Sequence, residues 1–151
     1  MSRKHNYVVG FLFSLDMQHV ALIQKRKPAW QAGRWNGVGG KLEEGEVWED
    51  AMCREFHEET GVRISGFDWR HTVTLKNNEF ECRFFRAFGD SVFNVQTVEM
   101  EQVAVHPVSA ISLLPVIDNL RWLVPLQLDR RIEFPLTITD GLKQPLVRAA
   151  E

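Results

Sequence analysis

Apolar positions along this chain follow two different periods, and the change from one to the other outlines the fold. Tyr7 to Ser14 is a nearly unbroken apolar run rich in β-branched and aromatic residues, which predicts a buried strand. Leu15 to Gln18 reads as a turn and His19 to Lys25 as a second strand, together a hairpin. Lys27 to Gly37 has no period and holds glycine, proline and two tryptophans, so it is expected to be a loop. From Val47 to Thr60 the spacing becomes helical, and Gly61 stands where a helix C-cap belongs. Val62 to Leu75 and Phe80 to Gly89 read as strands around an Asn77-Asn78 turn, and Val103 to Val108 as another strand. Ile117 to Leu128 predicts a second helix that Pro125 should kink or end. Ile132 to Ile138 is the last strand candidate. This irregular alternation implies one α/β (α+β) domain over residues 1–151, a mixed sheet sandwiched between helices.

Composition narrows the function classes. The 151 residues are 44% hydrophobic and 25% charged, with ten Phe and five Trp, enough for a substantial core. A formal net charge of -2 gives no bias toward a nucleic acid polymer or an acidic membrane. Cys53 and Cys82 are too far apart in sequence for a zinc motif and read as reduced thiols, so a cytoplasmic location is expected. No apolar run is long enough to span a bilayer. Arg3-Lys4-His5 before the first apolar run superficially resembles a short signal peptide. No small-residue cleavage site follows Leu15, so a first core strand is the expected reading.

The helix over residues 47–60 carries an anomaly. With Glu55 set at 0° and about 100° per residue, Glu59 falls near 40° and Glu58 near 300°. Trp48, Met52 and Ala51 fall near 20°, 60° and 320°, in the same arc. Three carboxylates therefore share the apolar side, while Glu49, Asp50, Cys53, His57 and Thr60 take the opposite side. Unpaired carboxylates on a partly buried surface cost several kcal/mol each. Three hard oxygen donors offset that cost by gathering a cation such as Mg²⁺ or Mn²⁺. The alternative is an ordinary solvated acidic face.

The frame around these glutamates resembles the Nudix box of the Nudix hydrolases. Gly40 is followed after five residues by Glu46, and after seven more by Arg54-Glu55-Phe56-His57-Glu58-Glu59-Thr60-Gly61-Val62. The one soft departure is Phe56, where an aliphatic residue is usual. The resemblance implies the Nudix fold and a loop–helix–loop platform for metal and pyrophosphate. Glu55, Glu58, Glu59 and the carbonyl of Gly39 would be the metal ligands, for Mg²⁺ or Mn²⁺. Arg54 would orient a glutamate through a bidentate pair, and Glu46 would support the loop. A glutamate of a later loop joins the box in several Nudix enzymes; Glu101, in preference to Glu99, is the candidate here, and Glu58 is the candidate within the box. Lys25, Arg26 and Lys41 are candidate phosphate contacts.

The stretch from Trp30 to Lys41 resembles that of the MutT-type oxidised-purine nucleoside triphosphatases. Gly33-Arg34-Trp35-Asn36-Gly37 and Gly39-Gly40-Lys41 carry the likeness. It implies that Asn36 hydrogen-bonds the base and that Trp30 lines the base pocket; Asn36 as a mere turn residue and Trp30 as core are the alternatives. Trp35 is expected in the core. Asp118-Asn119-Leu120-Arg121-Trp122 resembles the acidic pair that meets the purine in those enzymes. Asp118 matches the first acid and Asn119 departs from the second. Asp118 could equally N-cap the second helix.

The resemblance thus implies a Mg²⁺-dependent nucleoside triphosphate pyrophosphohydrolase acting on purine nucleotides, oxidised ones such as 8-oxo-dGTP included, and releasing a monophosphate and pyrophosphate. Hydrolysis of another X-linked nucleoside diphosphate, such as ADP-ribose or a nucleotide sugar, is the alternative, and a non-catalytic nucleotide sensor a third. Signatures of the ADP-ribose, dinucleoside polyphosphate and NADH branches are missing: Lys76-Asn77-Asn78 stands where a proline is frequent, and Tyr7 is the single tyrosine. The expected partner is a small nucleotide, with no nucleic acid polymer and no membrane. Homodimers are common in the family, although nothing in the sequence marks an interface.

Overall fold

The computed structural model describes residues 5–139. Its elements are β1 (His5–Phe13), β2 (His19–Gln24), β3 (Trp35–Asn36), β4 (Val38–Lys41), α1 (Trp48–Thr60), β5 (Arg70–Lys76), β6 (Phe80–Phe88), β7 (Val103–Pro107), α2 (Leu120–Gln127) and β8 (Leu136–Thr139). Eight strands form one mixed sheet in the order β3-β2-β1-β6-β5-β8, with β4 on β1 and β7 on β2. β1–β6 and β5–β8 are parallel; the other pairs are antiparallel. β1 is the centre. Its first half, Tyr7 to Gly10, pairs with β4, whereas Phe13 at its end pairs with Val20 of β2.

The apolar run of β1 exists because both faces of the sheet are covered. Val8 and Leu12 point into a cluster with Ala51, Met52 and Phe56 of α1. Phe11 and Phe13 point the other way, into a cluster with Leu120, Leu123 and Val124 of α2. β2 repeats the alternation, with Ala21 and Ile23 toward α1 and Val20 and Leu22 toward α2. The sandwich of a mixed sheet between helices is therefore as expected. Phe56 is fully buried and meets Trp69 edge-on at 5.2 Å, so the aromatic departure within the box fills core volume. Burying one such ring contributes about 2–3 kcal/mol.

α1 ends as its sequence predicts. Gly61 is left-handed at φ 77°, and its N–H reaches the His57 carbonyl at 2.9 Å. Four stretches differ from expectation. The last strand candidate, Ile132 to Ile138, forms a strand only over Leu136–Thr139. The strand expected over Val62 to Leu75 begins only at Arg70. Ser65 accounts for this: its carbonyl accepts from Asp68 N–H at 3.0 Å and its Oγ from Phe67 N–H at 3.3 Å, a local turn that competes with the ladder. The second helix starts at Leu120 and ends at Gln127, two residues past Pro125, which cannot donate to a continuing ladder. The loop before Gly37 contains a short 3₁₀ turn, Ala29–Gln31, and the two-residue β3.

Candidate active site

The box loop between β4 and α1 is organised by one guanidinium. Arg54 donates through Nε and Nη2 to the two oxygens of Glu46, at 2.8 and 3.0 Å. Its Nη1 lies 3.0 Å from Glu55 Oε1 and 3.3 Å from Glu58 Oε2, and Nη2 also reaches the Lys41 carbonyl at 3.2 Å. The bidentate partner is thus Glu46, and Arg54 ties loop, strand and helix together. Its pairing holds the Glu46 carboxyl below the usual carboxylate range.

Two box carboxylates, Glu55 and Glu59, are strained electrostatically. Burial raises Glu55, with the Arg54 bond acting against it. Burial pushes Glu59 up to about 7, and the neighbouring Glu99, Glu101 and Glu55 push the same way. Glu59 Oε2 is buried with no hydrogen-bond partner. Among the described residues no three His, Cys, Asp or Glu side chains form a ready-made metal cage; Arg54 bridges Glu55 and Glu58 instead. The buried, unpartnered Glu59 Oε2, beside hard oxygen donors, fits a divalent cation that would complete its shell with backbone oxygen and water. Gly40 brings β4 onto this cluster: a Cβ there would lie 2.4 Å from the Glu55 carboxyl carbon and would push that carboxylate aside.

A cleft of about 410 Å³ runs from this platform to the start of α2. Lys25, Trp30, Asn36, Gly39, Lys41 and Asn119 all line it. Five of those six are residues singled out from sequence. β3 presents Asn36, whose Oδ1 accepts from Gly37 N–H at 2.8 Å and whose Nδ2 donates to Gln31 Oε1 at 3.3 Å. Those bonds orient the amide and leave it one further donor and one acceptor lone pair. Trp35 is in the core, edge-on to His106 at 4.4 Å, as expected.

Lys25 and Glu101 come together. Lys25 Nζ lies 3.0 Å from Glu101 Oε1, and Glu101 Oε2 accepts the Arg26 backbone N–H. Both carboxylate oxygens are occupied, which makes Glu101 an anchor for a cleft lysine in this arrangement. Asp118 lies apart from the cleft lining, with its side chain 90% exposed and 3.5 Å from Arg34. Nor does it cap α2, whose N-cap residue is Asn119. Asn119 is what the sequence reading undervalued. It is 9% exposed, lines the cleft, and its Oδ1 is buried without a partner. The available signal was its place in the apolar phase of Val116, Ile117, Leu120 and Leu123.

Comparison with known proteins agrees with this architecture. Residues 4–126 match the model of the NUDIX domain. Sixty-six residues are 49% identical to the oxidised purine nucleoside triphosphate hydrolase of Mus musculus, covering 44% of this chain and 40% of that protein's length. A MutT structure from work on Aliivibrio salmonicida and Vibrio cholerae is similar with a TM-score of 0.69 at 21% identity, covering 82% of this chain and 95% of that one. The NUDIX domain of Shewanella oneidensis NrtR, complexed with ADP ribose, gives 0.70 at 20% identity, covering 87% and 91%. At such identities the structural likeness is one of fold. Among the described residues no helix is long and apolar enough to cross a membrane. With the family model matching most of the chain, the chain belongs to the Nudix family.

Proposed function

We propose that this chain is a Mg²⁺-dependent pyrophosphohydrolase of purine nucleoside triphosphates, oxidised purines included, releasing the monophosphate and pyrophosphate. The observation that carries the reading is that one cleft joins two chemistries. Its lining holds two amides, Asn36 and Asn119, with Trp30, and also Gly39 and Gly40, the latter against the Glu55 carboxylate. An amide donates and accepts, which suits a purine edge. Lys25, Lys27 and Lys41 along the wall supply charge for the phosphates.

Glu55, Glu58 and Glu59, with the Gly39 carbonyl, would hold the metal. Bound there, Mg²⁺ or Mn²⁺ would neutralise phosphoryl charge and orient a water. Arg54 keeps the box carboxylates in place. Glu58, with 45% of its side chain exposed, is the proton acceptor for the attacking water. Glu101 holds Lys25 against the cleft. Cys53 and Cys82 are free thiols, consistent with action in the cytoplasm.

The test is turnover with and without Mg²⁺, read as pyrophosphate released from normal and oxidised purine and pyrimidine triphosphates and as AMP and ribose 5-phosphate formed from ADP-ribose. The ADP ribose bound by the NrtR domain makes that ligand the sharpest competitor. If ADP-ribose is turned over tenfold better than every triphosphate, the triphosphate reading is wrong.

A further inference from the structure

At the other end of α2, two arginines face each other across a strand pair, with no counter-charge among the described residues. Arg70 and Arg86 are direct cross-strand partners in the β5–β6 ladder. Like charges directly opposite one another in a sheet are destabilising. Each is nevertheless fixed. Arg86 Nη1 donates to the Gln127 carbonyl at the end of α2, and Arg70 Nη2 to the Phe134 carbonyl at 3.0 Å. The Arg86 guanidinium also lies over two rings, 5.4 Å from the Phe88 centroid and 4.9 Å from that of Phe134. These contacts explain why Arg86 stays put: it satisfies an orphan carbonyl of a helix with no basic residue in its last turn. They do not explain Arg70, which is exposed, adds repulsion and receives no carboxylate.

The neighbourhood stays positive. Burial and Arg70 together hold the Arg86 guanidinium below its ordinary range. The nearby loop from 128 to 135 carries Asp129, both of whose oxygens bond Arg131, and Glu133, which forms no ion pair with Arg70 or Arg86. Among the described residues neither Arg70 nor Arg86 has an acidic partner. Each guanidinium has five N–H donors and commits one to a protein carbonyl.

We propose that Arg70 and Arg86 form a second anion site, for a phosphate-class dianion, at the end of α2 opposite the nucleotide cleft. Two neighbouring guanidiniums, each anchored by a protein carbonyl, suit a tetrahedral oxyanion with two negative charges better than a single carboxylate. The eight residues of α2, about 12 Å of helix, separate this site from Asn119 at the cleft. The assignment is independent of which nucleotide the cleft takes.

Side-chain NMR of the arginine Nε–H groups in the metal-free full chain tests it, with inorganic orthophosphate as the probe. The Arg86 signal should shift saturably, with a half-point in about the millimolar range, and chloride at matched ionic strength should not reproduce it. Arg70→Gln should weaken the response at least about tenfold, and Lys41→Ala, a change in the cleft, should leave it intact. A parallel titration with glycerol phosphate separates free phosphate from phosphate carried on a larger molecule; saturation by either supports the site, and the tighter ligand identifies the source. A non-saturating shift matched by chloride, an unchanged response in Arg70→Gln, or its loss in Lys41→Ala would each overturn the proposal.

Discussion

Lys25 and Glu101, 76 positions apart in the chain, form an ion pair of 3.0 Å at the cleft wall, with side chains only 21% and 15% exposed. Such a half-buried pair has its directions set by the fold. It predicts coupled kinetics. Lys25→Met and Glu101→Gln should each lower kcat/KM several-fold through KM. The double variant should be little worse than the worse single one, a coupling of about 0.5–3 kcal/mol. A loss confined to kcat in Glu101→Gln, additive with Lys25→Met, would make Glu101 the proton acceptor instead.

Glu58→Gln and Glu59→Gln are each expected to lower turnover by at least about a hundredfold, as loss of a charge-stabilising group does. Chelation of divalent metal should abolish activity, and added Mg²⁺ should restore it. Pyrophosphate release measured on folded variants decides the matter; full activity in both would remove the ligand assignment.

The two cleft amides differ in how they are tied. Asn36 is held by Gly37 and Gln31, whereas Asn119 Oδ1 has no partner. Asn119→Ala and Asn36→Ala should therefore both weaken purine substrates more than pyrimidine ones. Each should cost about 1–3 kcal/mol in kcat/KM for the preferred purine. Equal losses on both base classes would mean that the amides shape the cleft without reading the base.

Metal-free stability should fall as pH rises through neutrality. Glu59 titrates near 7 in the folded protein against 4.5 as an ordinary carboxyl. Between these values the folded state binds more protons than the unfolded one. The stabilising contribution is therefore complete below 4.5 and is lost as pH climbs through 7. Calorimetry without metal should show a lower Tm at about pH 8 than at about pH 5.5, and Glu59→Gln should flatten that difference. Mg²⁺ should raise Tm most at the higher pH. A slope unchanged by Glu59→Gln would assign it to other groups.

Local pattern alone determined much of this protein. The period change at Val47, the Gly61 stop and the box carboxylates on the apolar arc follow from helix geometry, because neighbours three and four apart share a face whatever the rest of the chain does. The buried strands followed from their apolar runs, because a strand covered on both faces buries successive side chains alike. Tertiary structure decided what each polar side chain meets. Glu101 became an anchor because the end of β2 brings Lys25 to it, and Glu59 Oε2 is buried without a partner while Arg54 holds Glu46, Glu55 and Glu58. Asp118 and Asn119 are adjacent in sequence, yet one faces solvent and the other the cleft, a choice made by the packing of Ile117 and Leu120 against the sheet. The facing of Arg70 and Arg86 depends on the β5–β6 register, which is shifted by the irregularity between His71 and Val73. Pairings between distant segments depend on which strand lies beside which, and a one-residue change of register redirects every side chain.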